Sequence, residues 1–227
     1  MTVHASRIST STEVEARPIV PATRVRGLYR AGAKRLIDLF LVAISLPFIV
    51  PFFAILAAII ATDGHSPFFR QERVGKDGRR FMMWKFRTMV PNAEQQLENV
   101  LSDNPKARTE WNEKQKLSVD PRCTSVGRIL RRSSLDELPQ IFNVLSGDMS
   151  LVGPRPMLPK QQALYPGHAY YNLRPGMTGA WQVSARNESR FSERAHYDDL
   201  YDANLSFVGD AGIIVRTVSV VLRGTGV

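Results

Sequence analysis

The chain has 227 residues and a formal net charge of +9 at neutral pH; this length allows one domain and a membrane anchor. Cys123 is the single cysteine, which excludes an intrachain disulfide and a cysteine-rich zinc site and is compatible with a reducing compartment. The excess positive charge favours anionic partners, either lipid or phosphorylated small molecules. Nucleic acid is not expected, because the chain has no recognisable nucleic-acid-binding motif and its basic residues flank an apolar segment.

The first segment, residues 1–30, is predicted to be a disordered tail. Up to about Gly27 it is rich in Ser, Thr, Val, Pro and Ala and shows no clear periodicity. It does not resemble a signal peptide, because no apolar core or cleavage site occurs near its start.

An uncharged apolar run, Leu39–Thr62, lies within a predicted membrane segment at residues 31–64. About 24 residues can cross a hydrocarbon core of about 30 Å as one straight helix, so length alone favours a spanning helix. Pro47 and Pro51 favour a kink, and both flanks are basic, whereas the positive-inside rule places the excess on one side. We therefore predict a re-entrant helix that breaks near Pro47, with both ends on the cytoplasmic side and the Ser45 hydroxyl available to the freed carbonyls.

The segment after the apolar run predicts a β-hairpin. Two short strand-like stretches, PFFRQERVG and RRFMMWKFRTM, are separated by the turn sequence Gly75–Gly78. Residues 91–116 are polar and predict two surface helices that are interrupted near Asn104 and Pro105.

Further helices are predicted toward the C-terminus. Thr124–Arg132 is expected to form a short basic helix, and Leu135–Leu145 another, which a capping box of Ser134 and Glu137 would open. Ser192–Ala203 is also expected to be helical. Ile213–Leu222 is apolar, and its pattern leaves open whether it lies on the bilayer or packs in the core.

Two adjacent carboxylates, Asp136 and Glu137, stand at a predicted helix start. The helix dipole and the nearby arginines favour their ionised forms, which suits a nucleophile or a ligand of a divalent cation. The simpler alternative is a helix cap with acidic residues in its first turn.

Arginines on turns of restricted geometry favour a phosphate-binding function over a simple helix cap. Arg155 lies between prolines in a Gly-Pro-Arg-Pro sequence, and Arg174 opens an Arg-Pro-Gly sequence. Guanidinium donors match phosphate oxygens in a fixed geometry. Beside a membrane segment, these residues indicate a phosphorylated substrate at the bilayer surface.

An ordered set of motifs then resembles the bacterial sugar transferases of the monotopic phosphoglycosyl transferase class. The resemblance begins near Lys34 and reaches the C-terminus. It is closest to the short enzymes that initiate exopolysaccharide synthesis from UDP-galactose or UDP-glucose. The matching segments are Lys34–Asp38 with the apolar run, Gln71–Gly75, Trp84–Met89, Ser134–Gln140, Asn143–Pro156, Arg174–Gly179 and Trp181–Val183.

The resemblance implies transfer of a hexose 1-phosphate from a UDP-sugar to undecaprenyl phosphate, with release of UMP. It implies that Asp136 is the nucleophile of a covalent phosphosugar intermediate and that Glu137, with Asp136, holds Mg²⁺. The phosphates would be held by Lys85, Arg131 and Arg155, and Arg174 is a further phosphate-binding candidate because of its Arg-Pro-Gly turn. The implied fold is α+β and mostly helical, with a re-entrant helix, a small hairpin and interfacial helices around a catalytic domain at residues 65–227.

The expected location is the cytoplasmic face of the bacterial inner membrane. Expected partners are a UDP-sugar, undecaprenyl phosphate, anionic membrane lipid and later glycosyltransferases of the pathway, and a homodimer is left open. Two alternatives also stay open at this point. One is the same chemistry with another sugar phosphate, an N-acetylhexosamine or a deoxysugar; the other is a non-catalytic membrane scaffold for polysaccharide assembly.

Overall fold

The computed structural model describes residues 27–114, 117–184 and 190–222. Residues 1–26, most of the predicted tail, lie outside this part. A turn of π-helix at Tyr29–Ala33 leads into a long helix, α1. The helices are α1 (Lys34–Ala61), α2 (Ala93–Asp103), α3 (Pro105–Lys114), α4 (Ser125–Ser133), α5 (Gln140–Ser146), α6 (Ala169–Asn172), α7 (Ala180–Ser184), α8 (Arg194–Ala203) and α9 (Phe207–Leu222). The strands are β1 (Phe68–Val74), β2 (Arg80–Phe86), β3 (Ser150–Val152) and β4 (Gly176–Thr178).

Helix α1 stays helical through both prolines, so the predicted break near Pro47 is not an interruption of the helix. An interior proline removes one backbone donor and bends a helix, and the chain continues past it here. The hydroxyl of Ser45 donates to Val42 O at 2.8 Å. Pro47 has no backbone N–H, so the carbonyl of Ala43 lacks its usual helical donor. The Ser45 hydroxyl does not replace that donor, contrary to the prediction, because it binds Val42 O instead.

The helix from Tyr29 to Ala61 is long and apolar enough to cross a membrane, judged by length and composition. Only 6% of its most apolar stretch is buried in the fold, which distinguishes it from the core helix of a soluble protein. Its length, its apolar composition and its low burial together indicate that the helix associates with a membrane. Large apolar side chains such as Phe40, Phe48 and Ile55 are exposed.

Both ends of α1 are tied to the same fold. At the start, Lys34 pairs with Asp210 of α9 at 2.5 Å, and Asp38 accepts a hydrogen bond from Ser150 of β3 at 2.6 Å. Past the other end, the Arg87 guanidinium donates to Ile60 O at 3.1 Å and to Asp63 at 2.6 Å. A helix that crossed the membrane upright would carry its two ends to opposite sides, away from a shared domain.

The predicted hairpin is confirmed. Strands β1 and β2 pair antiparallel from Phe68 opposite Phe86 to Val74 opposite Arg80. The turn between them has Asp77 at φ 56° and Gly78 at φ 75°. These left-handed conformations are the ones that Asp and Gly tolerate, which is why the sequence signal was reliable.

The two predicted polar helices are confirmed as α2 and α3, which meet at Asn104 and Pro105 as expected. The predicted basic helix is α4, and the side chain of Thr124 caps it by accepting from Gly127 N. The predicted helix at Ser192–Ala203 is confirmed as α8, preceded by a 3₁₀ turn.

The predicted helix at Leu135–Leu145 with a capping box is wrong in its first half. Ser134 has φ 58° and ends α4, and its side chain makes no capping hydrogen bond to the segment that follows. A 3₁₀ turn at Leu135–Glu137 comes next, and α5 begins only after Pro139. The physical reason is that the left-handed residue turns the chain sharply between α4 and α5, so no single helix can run through it.

A parallel pairing of β3 with β4 was not predicted. It joins Ser150 to Gly176 and Val152 to Thr178. A Cβ atom at position 176 would lie 2.1 Å from Gly153 N, so the two backbones meet at a distance that only glycine permits. Helix α9 packs Ile213 against Val152 and Tyr201 in the core, while Val215 and Val218 stay exposed. One side of the helix therefore fits the predicted core packing, and the other side leaves the predicted position on the bilayer open.

Candidate active site

The two predicted carboxylates lie in the 3₁₀ turn between α4 and α5. Asp136 is 7% exposed. The Lys85 ammonium, at the end of β2, donates to Asp136 Oδ2 at 3.1 Å and to Glu137 Oε1 at 2.9 Å. One cation therefore bridges both carboxylates, which lowers the electrostatic cost of holding two like charges side by side.

Arg155 joins the same cluster from the Gly-Pro-Arg-Pro loop after β3. Its Nη2 donates to Glu137 Oε1 at 3.2 Å. Two backbone hydrogen bonds to β4 fix the start of this loop: Gly153 N donates to Thr178 O, and Gly176 N donates to Pro154 O. The fold thus brings together four of the six predicted catalytic and phosphate-binding residues: Lys85, Asp136, Glu137 and Arg155.

The other two predicted phosphate-binding residues have contacts with other groups. Arg131 contacts the Cys123 sulfur at 3.0 Å and lies 3.7 Å from Asp120. Arg174 donates through Nε to Gly147 O at 2.9 Å and lines a different cavity. Their contact with a substrate phosphate stays a prediction.

Two further arginines face this cluster. Burial, and then repulsion by Arg155, lowers the pKa of Arg73 to about 10 and that of Arg194 to about 9. Arg194 stacks over the rings of Trp181 and Phe191, with its central carbon 4.2 and 4.4 Å from their centres. Three guanidinium groups that repel one another create a site that favours an anion.

These arginines retain donors for a ligand. In the part of the chain that the structure describes, the Nε atoms of Arg73 and Arg194 have no hydrogen-bond acceptor, and the Oε1 atoms of Gln140 and Gln182 have no donor. Gln140 and Gln182 are 2% and 7% exposed. Such buried groups are costly when unpaired, so polar ligand groups would satisfy them.

Sequence reasoning singled out none of these four side chains. Arg73, Gln140 and Gln182 lie inside quoted motifs, and that signal could have identified them. Arg194 has no local signal, because it reaches the cluster only through the packing of α8.

The cavity in this cluster is lined by side chains that include Arg73, Lys85, Glu137 and Arg155. It encloses about 10 Å³, which is room for about one water molecule. A phosphorylated ligand would have to widen it or lie across its mouth.

The apolar flanks of the carboxylate turn contact the membrane helix. Leu135 and Leu138, on either side of the two carboxylates, pack in one cluster with Ile60 of α1 and Phe86 of β2. Phe53 of α1 lies 4.8 Å from the Phe86 ring, centre to centre. The second half of α1 therefore forms part of the support of the site.

Comparison with known proteins identifies the family. The family described as Bacterial sugar transferase matches residues 29–224. The chain is 44% identical over 85% of its length to the UDP-galactose-lipid carrier transferase of Erwinia amylovora, and 46% identical over 74% to the undecaprenyl-phosphate galactose phosphotransferase of Salmonella typhimurium. These matches cover 41% and 36% of those relatives. The exopolysaccharide production protein ExoY of Rhizobium meliloti is 40% identical over 86% of this chain and 87% of its own length. The chain belongs to the bacterial sugar transferase family.

Proposed function

We propose that this bacterial sugar transferase moves a hexose 1-phosphate from a UDP-sugar to undecaprenyl phosphate, at the cytoplasmic face of the bacterial inner membrane. The observation that supports this best is the bridged pair Asp136–Glu137, surrounded by Lys85 and three arginines and packed against an apolar helix. Two relatives are named for a galactose lipid carrier and for undecaprenyl phosphate. Galactose or glucose is the favoured sugar.

The chemistry would proceed by two displacements at phosphorus. A carboxylate oxygen of Asp136 attacks the β-phosphorus of the UDP-sugar, the bond from that phosphorus to the bridging oxygen breaks, and UMP leaves. A phosphate oxygen of undecaprenyl phosphate then attacks the same phosphorus and releases the carboxylate. A covalent intermediate lets donor and acceptor use one site in turn.

The basic residues would neutralise the phosphate charge. Lys85 bridges both carboxylates and holds them in place, while Arg155, Arg73 and Arg194 offer donors to phosphate oxygens. Preorganised donors of this kind stabilise the charge that develops at a transferring phosphoryl group.

We infer that Mg²⁺ would bind at the two carboxylates together with substrate phosphates. Among the described residues, no group of three or more His, Cys, Asp or Glu side chains could hold a metal ion. Mg²⁺ is commonly bound by one or two carboxylates and completed by substrate phosphates, so Asp136 and Glu137 would be its protein ligands. When bound, it would supply further charge neutralisation to the phosphates.

The position of α1 supports a re-entrant topology. Both ends of the helix contact the same fold, and basic residues flank both ends of the apolar run. A bend at Pro47 and Pro51 would let both halves enter the membrane from the cytoplasmic side. Cysteines placed at positions 30 and 64 should both react with a membrane-impermeant thiol reagent only from the cytoplasmic side.

The decisive test uses Asp136→Asn with radiolabelled UDP-sugars and undecaprenyl phosphate. The wild-type protein should release UMP and carry a labelled adduct. The variant should do neither. Glu94→Gln, an exposed acid in α2, is the matched control. Full turnover by Asp136→Asn would refute the proposal, and a wild-type protein inactive with every UDP-sugar would favour the scaffold alternative.

A further inference from the structure

A second cavity, of about 470 Å³, opens beside the start of α1. None of the residues that line it lines the cavity at Asp136–Glu137. Elements far apart in sequence form its walls: the start of α1, the tip of the hairpin, β3 and the segment before β4. Its charged lining residues are Arg30, Lys34, Arg35, Asp38, Lys76 and Arg174.

The lining of this cavity has an excess of positive charge: five cations against one carboxyl, Asp38, which lies 3.9 Å from Lys34. Of its five cations, Arg30 and Lys34 pair with Asp202 and Asp210, each at 2.5 Å. Within the described part of the chain, the other three, Arg35, Arg174 and Lys76, form no ion pair with a carboxylate. Two of these lie close enough to repel each other electrostatically, Arg35 and Arg174.

The two arginines are held in place by carbonyl groups at the end of α5. Arg35 donates to Val144 O at 2.6 Å and to Leu145 O at 3.2 Å, and Arg174 donates through Nε to Gly147 O. In the described chain, the two terminal nitrogens of Arg174 have no acceptor. The Nε hydrogen bond orients the Arg174 guanidinium, and its two terminal nitrogens stay available to an anion.

The surroundings of the cavity are apolar as well as cationic. Leu36 lines it and is 70% exposed, and Leu145, whose carbonyl receives Arg35, is 40% exposed. Phe40, one turn further along α1, is also exposed. The cavity therefore lies where the basic residues at the start of α1 meet the apolar face of the same helix. This is the depth at which lipid phosphates lie.

We propose that this cavity binds the phosphate of an anionic phospholipid, with the acyl chains along the exposed face of α1. Arg35 and Arg174 hold the phosphate, and Leu36 and Phe40 contact the chains. A soluble phosphate ligand would satisfy the cations but would leave the apolar rim uncovered. The proposal depends on the membrane position of α1 and not on the chemistry at Asp136.

The test compares ligands that share a phosphate. The full chain, purified in a non-ionic detergent, is titrated with dihexanoyl phosphatidylglycerol, dihexanoyl phosphatidylcholine or glycerol 1-phosphate, and bound ligand is counted by native mass spectrometry. The wild-type protein should bind one phosphatidylglycerol at least about tenfold more tightly than either other ligand. Equal binding of glycerol 1-phosphate would overturn the lipid assignment, and equal binding of phosphatidylcholine would overturn the anion site.

Variants then locate the site. Arg35→Gln/Arg174→Gln should lose the tenfold preference, whereas Lys106→Gln/Lys160→Gln, which removes two exposed charges elsewhere, should keep it. Arg174→Gln alone, at an exposed position, guards against misfolding of the double variant and should lose most of the preference. Equal losses in the control pair would indicate diffuse attraction and refute the site. An unchanged preference in Arg174→Gln, with a raised KM for undecaprenyl phosphate, would assign the cavity to the acceptor.

Discussion

Asp198 in α8 gives the most direct quantitative prediction about stability. Its side chain is buried, with 6% of the residue exposed, and it accepts a hydrogen bond from the Tyr165 hydroxyl at 2.8 Å. Burial raises the pKa of Asp198 to about 7 from an ordinary value of 3.8, against the opposing effects of Tyr165 and Arg194. Below about pH 7 the folded protein therefore favours the neutral form of this carboxyl.

The sign of the pH dependence follows from proton linkage. Below about pH 4 the Asp198 carboxyl is largely protonated in both states, and between about pH 4 and 7 only the folded state retains the proton. Stability contributed by this group therefore falls as pH rises through that window and stays low above it. A pKa difference of about 3 units, at about 1.4 kcal/mol per unit, corresponds to about 4 kcal/mol.

Asp198→Asn removes the charge and keeps the shape, so it should recover most of this energy at pH 8 and almost none at pH 4. For a chain of this size, about 4 kcal/mol corresponds to a rise in Tm of roughly 8–16 °C. The measurement is thermal unfolding in detergent at both pH values. Asp199→Asn, at the exposed neighbour, is the control and should change Tm little. An Asp198→Asn protein that gains nothing at pH 8, or gains equally at pH 4, would show that burial does not penalise the ionised carboxyl.

The remaining predictions concern Lys85 at the site and two glycines, Gly176 and Gly212. Lys85→Met should lower the rate of UMP release about 10²–10³-fold, because the carboxylates lose the cation that bridges them, while Lys85→Arg should stay within about tenfold of wild type; similar rates for both variants would refute a charge role. Gly176→Ala should cost about 3 kcal/mol in denaturant unfolding, because its Cβ would lie 2.1 Å from the Gly153 nitrogen. Gly212→Ala, with no atom within 4 Å of the new Cβ, should instead stabilise α9 by about 0.5–1 kcal/mol, and a stable Gly176→Ala protein would contradict the close approach of β3 and β4.

The parts of the fold that the sequence predicted are those that short-range chemistry decides. The hairpin follows from a turn whose residues tolerate left-handed conformations, and the boundary between α2 and α3 follows from Pro105, which cannot continue the preceding helix. The carboxylate pair, Lys85 and Arg155 were predicted as one site through motifs that resemble a known family, and the fold brings these residues together.

The remaining parts depend on contacts that no local pattern encodes. The left-handed conformation of Ser134 replaces the predicted capping box, and the pairing of Ser150 with Gly176 joins segments 26 positions apart. Arg194 reaches the site because α8 stacks it on Trp181. Arg174 looked equivalent to Arg155 in sequence, since both stand beside prolines, yet their loops carry them into separate cavities.

The link between the membrane helix and the carboxylates is a single step along β2. Side chains alternate between the two faces of a strand, so Lys85 and Phe86 point in opposite directions. Phe86 packs on Phe53 and Ile60 of α1, while Lys85 bridges the two carboxylates. The leucines on either side of the carboxylates pack on the same half of α1. Because only strand β2 separates α1 from Lys85, the depth of α1 in the bilayer would fix the distance of the carboxylates from the membrane surface. Under the proposed function, a lipid phosphate and a soluble nucleotide sugar would meet at this one pair of side chains.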